Sequence, residues 1–194
     1  MIGLLVNEMK EAVETKELEL SAMPEFFYEL QEIKENPDEP VTSVETSEMS
    51  HSYLITRNEG LEGDVHPMTG VAFERQIIEL GNGEIVEGVF PEFESVFDAQ
   101  IPEDLYSETD YKQFKCCNEQ LLEAIENNSE LRAKFSREQL NQITEGVSDG
   151  AAPDGYVWHH SPEPGKIQLV DFEIHAQTGH TGGRSVWGGG SENR

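Results

Sequence analysis

Positive charge, cysteine and long apolar runs are all scarce in this chain, and each shortage excludes something. Only 13 lysines and arginines stand against 39 aspartates and glutamates, giving a formal net charge of -26 over 194 residues. A chain this acidic carries no basic face at the level of the whole protein, so nonspecific attraction to phosphate backbones is weak. The two cysteines, Cys116 and Cys117, are neighbours. Adjacent thiols close no useful loop and match neither a disulfide framework nor a zinc knuckle, so reduced thiols on a helix are expected. No run approaches the ~20 apolar residues of a membrane span. The opening "MIGLLVNEMKEAVETKELEL" has no basic n-region, signal-length apolar core or small-residue cleavage site. Neither a membrane partner nor a classical export signal is expected, and localisation stays open between the cytoplasm and export.

What is present sorts into two parts, an acidic N-terminal extension over residues 1–60 and one compact domain over residues 61–194. The extension holds fourteen acids and four bases. Leu5, Met9 and Val13, then Phe26, Phe27, Leu30 and Ile33, have helical spacing, and the polar run "VTSVETSEMSHSY" reads as a linker or loose arm. Within the domain, "FERQIIEL" and "EIVEGVF" joined by "GNG" predict a β-hairpin. Helices follow. Tyr111, Phe114, Leu121, Leu122 and Ile125 share one face, with Ser107 and Asp110 as a weak capping box, and Ser136 with Gln139 repeats that signature ahead of Leu140 and Ile143. These helices read as scaffold.

Four of the six histidines fall within "YVWHHSPEPGKIQLVDFEIHAQTGHTGG". "YVWHH" and "KIQLV" read as strands around the turn "SPEPG". Asp171 is placed as an N-cap, Phe172 and Ile174 are expected near the core of a short helix, and Gly179 suits its end. The pattern is therefore strand, turn, strand, helix. His159 and His160 are adjacent on a strand and must point to opposite faces, which divides their roles. One can bind a metal beside the helix while the other keeps an imidazole available for a proton. His175 and His180 can supply two more nitrogens, and three imidazoles with open positions suit a catalytic divalent ion better than a closed structural site. A metal beside such a histidine suits phosphodiester hydrolysis. The alternative is structural: His175 packed between helix and hairpin, His180 capping a helix end, and the strand pair partly exposed.

The pieces "WHH", "QLV", "IHAQTGHTGG" and "WGG", with "GDVHPMTGVAFE", "VFPEFESVFDAQIPEDLY" and "PDGYVWHH" upstream, closely resemble the WHH-type nucleases of the HNH/endonuclease VII superfamily. Those nucleases are common as toxin domains of bacterial polymorphic toxins. The resemblance covers about residues 61–194. It implies an α+β fold, a helical scaffold with a β-hairpin and a C-terminal ββα-metal finger holding one divalent ion, Mg, Mn or Zn. It implies His159, His175 and His180 as ligands, His160 as general base and Gln168 as the amide that orients the base. One departure from many relatives is the spacing of the last two ligands, five rather than four, with Gly179 between them. A regular helix does not put i and i+5 on one face, so the helix must end or widen before His180.

Arg184, after a glycine pair, is the candidate for a substrate phosphate, and Trp158 is expected in the core. The implied activity is that of an endonuclease toxin effector, acting on nucleic acid with DNA favoured and RNA the alternative, and neutralised by a cognate immunity protein. The rival is a non-enzymatic acidic mimic of nucleic acid, an inhibitor with a structural zinc. Charge is segregated: residues 151–194 hold five acids and three bases, whereas residues 1–150 hold 34 and ten. The acidity reads as a solvated surface lying away from the histidines.

Overall fold

The computed structural model describes residues 50–190. The two helices expected near Leu5 and Phe26 lie outside that range. The "GNG" signal holds: β3 (Ala72–Glu79) and β4 (Ile85–Glu92) form an antiparallel hairpin, with Gly83 at φ 81° in the turn. Two short strands extend it. β1 (His51–Tyr53) lies parallel to β4 and β2 (Asp64–Val65) antiparallel to β3, giving the order β1-β4-β3-β2. The end of the run read as a linker is thus a strand, because β4 offers it an open edge.

The second sheet holds the histidine hairpin. β5 (Ser95–Gln100), which the sequence pattern did not single out, pairs with β7 (Lys166–Asp171), and β7 pairs with β6 (Tyr156–His160), both antiparallel. The order is β5-β7-β6, so β6 is an edge strand. Both faces of this sheet are covered. Trp158, Ile167 and Leu169 point into the main core with Cys117, Leu121 and Ile125, while Val170 on the other face packs with Val71 and Phe93.

Three helices lie between β5 and β6. α1 (Asp110–Asn127) presents Gln113, Cys117, Leu121 and Ile125, one turn apart, as its buried stripe. Its N-cap is Thr109 with no side-chain bond, so the expected Ser107–Asp110 box is not formed, and Tyr111 is 56% exposed. α2 (Ser129–Ala133) is capped by Asn128, whose side chain accepts from the amides of Glu130 and Leu131. α3 (Arg137–Gly146) has the expected capping box, Ser136 with Gln139. Both cysteines are free on α1, and burial pushes the Cys117 thiol pKa up. Asn118 joins these parts. Its amide donates to the carbonyls of Gly146 and Ala151 and its oxygen accepts from Trp158 Nε1 at 3.0 Å.

α4 (Phe172–Thr178) follows β7 directly, and Asp171 caps it through the Ile174 amide at 2.9 Å. Phe172 and Ile174, expected near the core, are 49% and 42% exposed. The helix instead turns Thr178 and part of His175 inward, because the side facing the hairpin is given to the histidines. The described residues are therefore a mixed α+β unit in which a β-hairpin and the helix after it carry the histidine cluster.

Candidate metal centre

Alternation along β6 sends His159 and His160 to opposite faces, as the sequence requires. His159 pairs across the ladder with Gln168 and is 2% exposed; its ring meets Phe93 edge-on at 4.8 Å. His175 projects from α4 towards it. α4 ends at Thr178, and Gly179 at φ 45° turns the chain so that His180 swings back to the same point. The five-residue spacing is thereby accommodated by a helix stop. A side chain at Gly179 would be strained in that backbone conformation and would also press on the Arg57 guanidinium.

One ring nitrogen from each of His159, His175 and His180 lies within 4.8 Å of the others. His159 Nδ1 and His180 Nε2 are 3.2 Å apart. Two ligands bound at about 2.0–2.1 Å to one ion stand roughly 3.0–3.4 Å apart, so this spacing suits a shared ion. Two other buried nitrogens, His159 Nε2 and His180 Nδ1, have no hydrogen-bond partner. Such a polar cluster is incomplete on its own terms, since buried polar groups ordinarily find partners.

Electrostatics favour the ligand state. The pKa of His159 lies well below the usual histidine value, chiefly through burial and then through the charges His180, His175 and His160 would carry. Burial lowers that of His175. Burial, then His175 and Arg57, lower that of His180 to about 4. All three rings are neutral at pH 7 and offer lone pairs to a cation. The triad suggests a metal site, and the donor set of three imidazoles fits a divalent transition ion.

His160 occupies the other face, 8% exposed, beside Gln113, which the sequence reading did not select. Its Nε2 lies 2.6 Å from Gln113 Oε1. Gln113 itself is fully buried, and its amide nitrogen donates to the carbonyls of Leu105 and Tyr106 at 2.7 and 2.9 Å. Those two bonds fix the amide's orientation, so Oε1 can only accept. His160 Nε2 therefore carries the proton, since two lone pairs at 2.6 Å would repel.

Gln168, the expected orienter, does not reach this ring. It sits opposite His159, not His160, and its amide donates to Asp98 Oδ1 at 3.2 Å. Strand parity is the reason: the cross-strand partner of His160 is Ile167. Arg184, the candidate for a substrate phosphate, is engaged by protein groups. Its side chain is 5% exposed, pairs with Asp110 Oδ1 at 2.7 Å, and donates to Gln113 Oε1 at 2.8 Å and the Glu108 carbonyl at 3.2 Å. A guanidinium so engaged braces the His160 network. Trp158 is in the core, as expected.

The two faces meet around the free edge of β6, where a cleft of ≈ 470 Å³ is lined by all four histidines together with Arg57 and Arg184. His51 and His66 lie elsewhere, on Glu87 and Thr69. A model of the DNase/tRNase domain of colicin-like bacteriocin matches residues 82–182, which run from the β3–β4 turn through His180. No curated protein and no solved structure matches the chain.

Proposed function

Because this chain belongs to the colicin-like bacteriocin DNase/tRNase domain family, and is thus an HNH-related phosphodiesterase that hydrolyses nucleic acid as a toxin, we propose that it is a WHH-type endonuclease with His160 as general base. His159, His175 and His180 hold one divalent ion in this reading. The observation that carries it is the division of the two strand histidines, His159 into a cluster of neutral imidazoles and His160 onto Gln113.

With Nε2 protonated, His160 presents Nδ1 as its basic nitrogen, and an imidazole with a reference pKa of about 6.5 can accept a proton from water at neutral pH. Gln113 fixes the tautomer, and Arg184 with Asp110 holds the amide and ring in place. A bound divalent cation supplies electrostatic stabilisation to a phosphate entering the cleft. Water attacks phosphorus as His160 Nδ1 takes its proton, the P–O bond to the leaving oxygen breaks, that oxygen takes a proton from solvent water to leave as the alcohol, and His160 returns its proton to solvent.

DNA is the favoured polymer and RNA the alternative, since a finger that reads a phosphate distinguishes them weakly. A cognate immunity protein is the expected protein partner. The hydrolytic unit takes in β1 and the turn at Arg57 and Asn58, which bonds to the end of α4, so its N-terminal limit is better drawn ahead of His51 than at Gly60.

The test is incubation of the purified protein with plasmid DNA and with total RNA, in magnesium, manganese, zinc or chelator, beside His160→Ala. Metal-dependent cleavage lost in His160→Ala with metal binding retained supports the base assignment. Equal cleavage by the variant rejects it, and no cleavage of either polymer with any metal favours an acidic inhibitor with a structural zinc.

A further inference from the structure

Arg184 lines the cleft with its guanidinium engaged by Asp110 and Gln113, and a second arginine lines the same cleft. Arg57 lies in the turn after β1, exposed, and lines the same cleft as the four histidines. Its guanidinium lies over Gly179, close enough that a side-chain carbon there would meet its Cζ at 2.8 Å. No carboxylate among the described residues is within ion-pair distance of it, although acids outnumber bases three to one in the chain. Lys115, Arg132, Lys134 and Arg137 also lack such a pair, but of the described lysines and arginines only Arg57 and Arg184 line the histidine cleft, and Arg184 is held by Asp110.

The position of Arg57 is also held. Its backbone amide donates to Thr181 Oγ1 at 2.9 Å, and the next residue, Asn58, donates to the carbonyls of Thr178 and Gly179 at 3.1 and 2.6 Å. The backbone carrying the guanidinium is thus tied to the loop that carries His180. A cation fixed at its base, open at its tip and without a carboxylate is arranged to meet an anion that arrives from solvent.

We infer that Arg57 binds a phosphate of the nucleic acid substrate at the histidine cleft. This inference rests on the nuclease reading above and assigns the contact to Arg57 in place of Arg184. In an acidic protein, such a contact is one of the few attractive charges a polyanion meets beside the cluster.

The experiment compares wild type, Arg57→Gln and Arg57→Lys for cleavage of plasmid DNA and RNA over a range of salt concentrations. Binding of manganese alone is measured in parallel. Arg57→Gln is expected to lower kcat/KM by about tenfold, the low end for a charge-assisted hydrogen bond. It is also expected to flatten the slope of log KM against log salt by about 0.7–0.9, the loss of one phosphate contact. Manganese affinity should be unchanged, and Arg57→Lys should restore the slope but only part of the rate. An unchanged slope and KM in Arg57→Gln would overturn the inference alone. Loss of manganese affinity in Arg57→Gln would overturn it in favour of a structural role. Absence of cleavage by wild type would overturn the nuclease reading, and this inference with it.

Discussion

His160 Nε2 meets Gln113 Oε1 at 2.6 Å across 47 positions of sequence, joining the edge strand of the second sheet to the first turn of α1. The contact sets a tautomer rather than merely filling space, because Gln113 has committed both amide hydrogens to the carbonyls of Leu105 and Tyr106. The His160 ring is oriented by the helical scaffold, from outside the hairpin and helix that carry the histidine triad.

With His160 as the proposed base, Gln113→Leu should lower kcat by about 10- to 100-fold with little change in KM, since the side chain touches His160. In the His160→Ala background the same substitution should add nothing, because the two residues act as a unit. Imidazole nitrogen shifts in the metal-free protein offer a reading independent of activity: His160 should be Nε2-protonated in wild type and a mixture in Gln113→Leu. Additive losses in the double variant, or an Nδ1-protonated ring in wild type, would remove Gln113 from the mechanism.

The histidine cluster predicts how the metal-free protein responds to acid. His180 has its pKa lowered to about 4 in the folded state, with those of His159 and His175 lowered too, against an unfolded value near 6.5. The neutral rings contribute full stability above about pH 6.5. As pH falls from there towards 4 the unfolded chain takes up protons that the folded chain refuses, so stability declines by up to about 1.4 kcal/mol per pH unit for each such histidine. Chemical denaturation of metal-free protein between pH 7.5 and 4.5 should show this loss, and His180→Ala should make it shallower. Metal affinity should persist at pH 6, where ordinary histidines are largely protonated. A steep fall in affinity between pH 7.5 and 6.5 would contradict the buried, neutral state of the triad.

Asn118 makes a separate prediction about stability. Its side chain is 1% exposed and bonds Trp158 of β6 to the end of α3. Asn118→Ala leaves the indole N–H and the Ala151 carbonyl without partners, at about 1–3 kcal/mol each, while the Gly146 carbonyl keeps the amides of Asp149 and Gly150. With about 2–4 °C lost per kcal/mol for a chain of this size, Tm should fall by roughly 4–24 °C. Asn118→Ala unfolding within 2 °C of wild type would mean that water replaces these bonds.

Much of the site was legible where chemistry is local. The two hairpins, the Asp171 cap and the stop at Gly179 follow from short-range turn and capping rules, and strand parity alone separated His159 from His160. What failed was register and long-range pairing. The resemblance carried the orienting amide to Gln168, but the register of β6 on β7 puts it opposite His159. Gln113 left a trace in the sequence, a glutamine one turn ahead of the stripe formed by Cys117, Leu121 and Ile125. A polar side chain on a buried stripe needs a partner, and nothing local names His160 as that partner. β5 and β1 were missed because their edges are supplied by β7 and β4, far along the chain.

His180 is held at the cluster by Asn58 as well as by the turn at Gly179. Asn58 adopts a left-handed conformation, φ 67°, and donates its amide to the carbonyls of Thr178 and Gly179, the two residues where α4 stops. These bonds satisfy carbonyls that a helix end leaves open, and they fix the direction in which the chain leaves towards His180. Two substitutions separate backbone from side chain. Asn58→Gly keeps the left-handed conformation at little cost but removes the amide, whereas Asn58→Asp keeps the size and replaces the donor with an acceptor. Both should weaken manganese or zinc affinity by about tenfold, a loss typical of the groups that orient metal ligands, and Asn58→Asp should be the weaker binder because its carboxylate faces two carbonyls. In His180→Ala neither change should lower affinity further, because the ligand they orient is gone. Wild-type affinity in Asn58→Gly would show that the Gly179 turn alone brings His180 to the cluster.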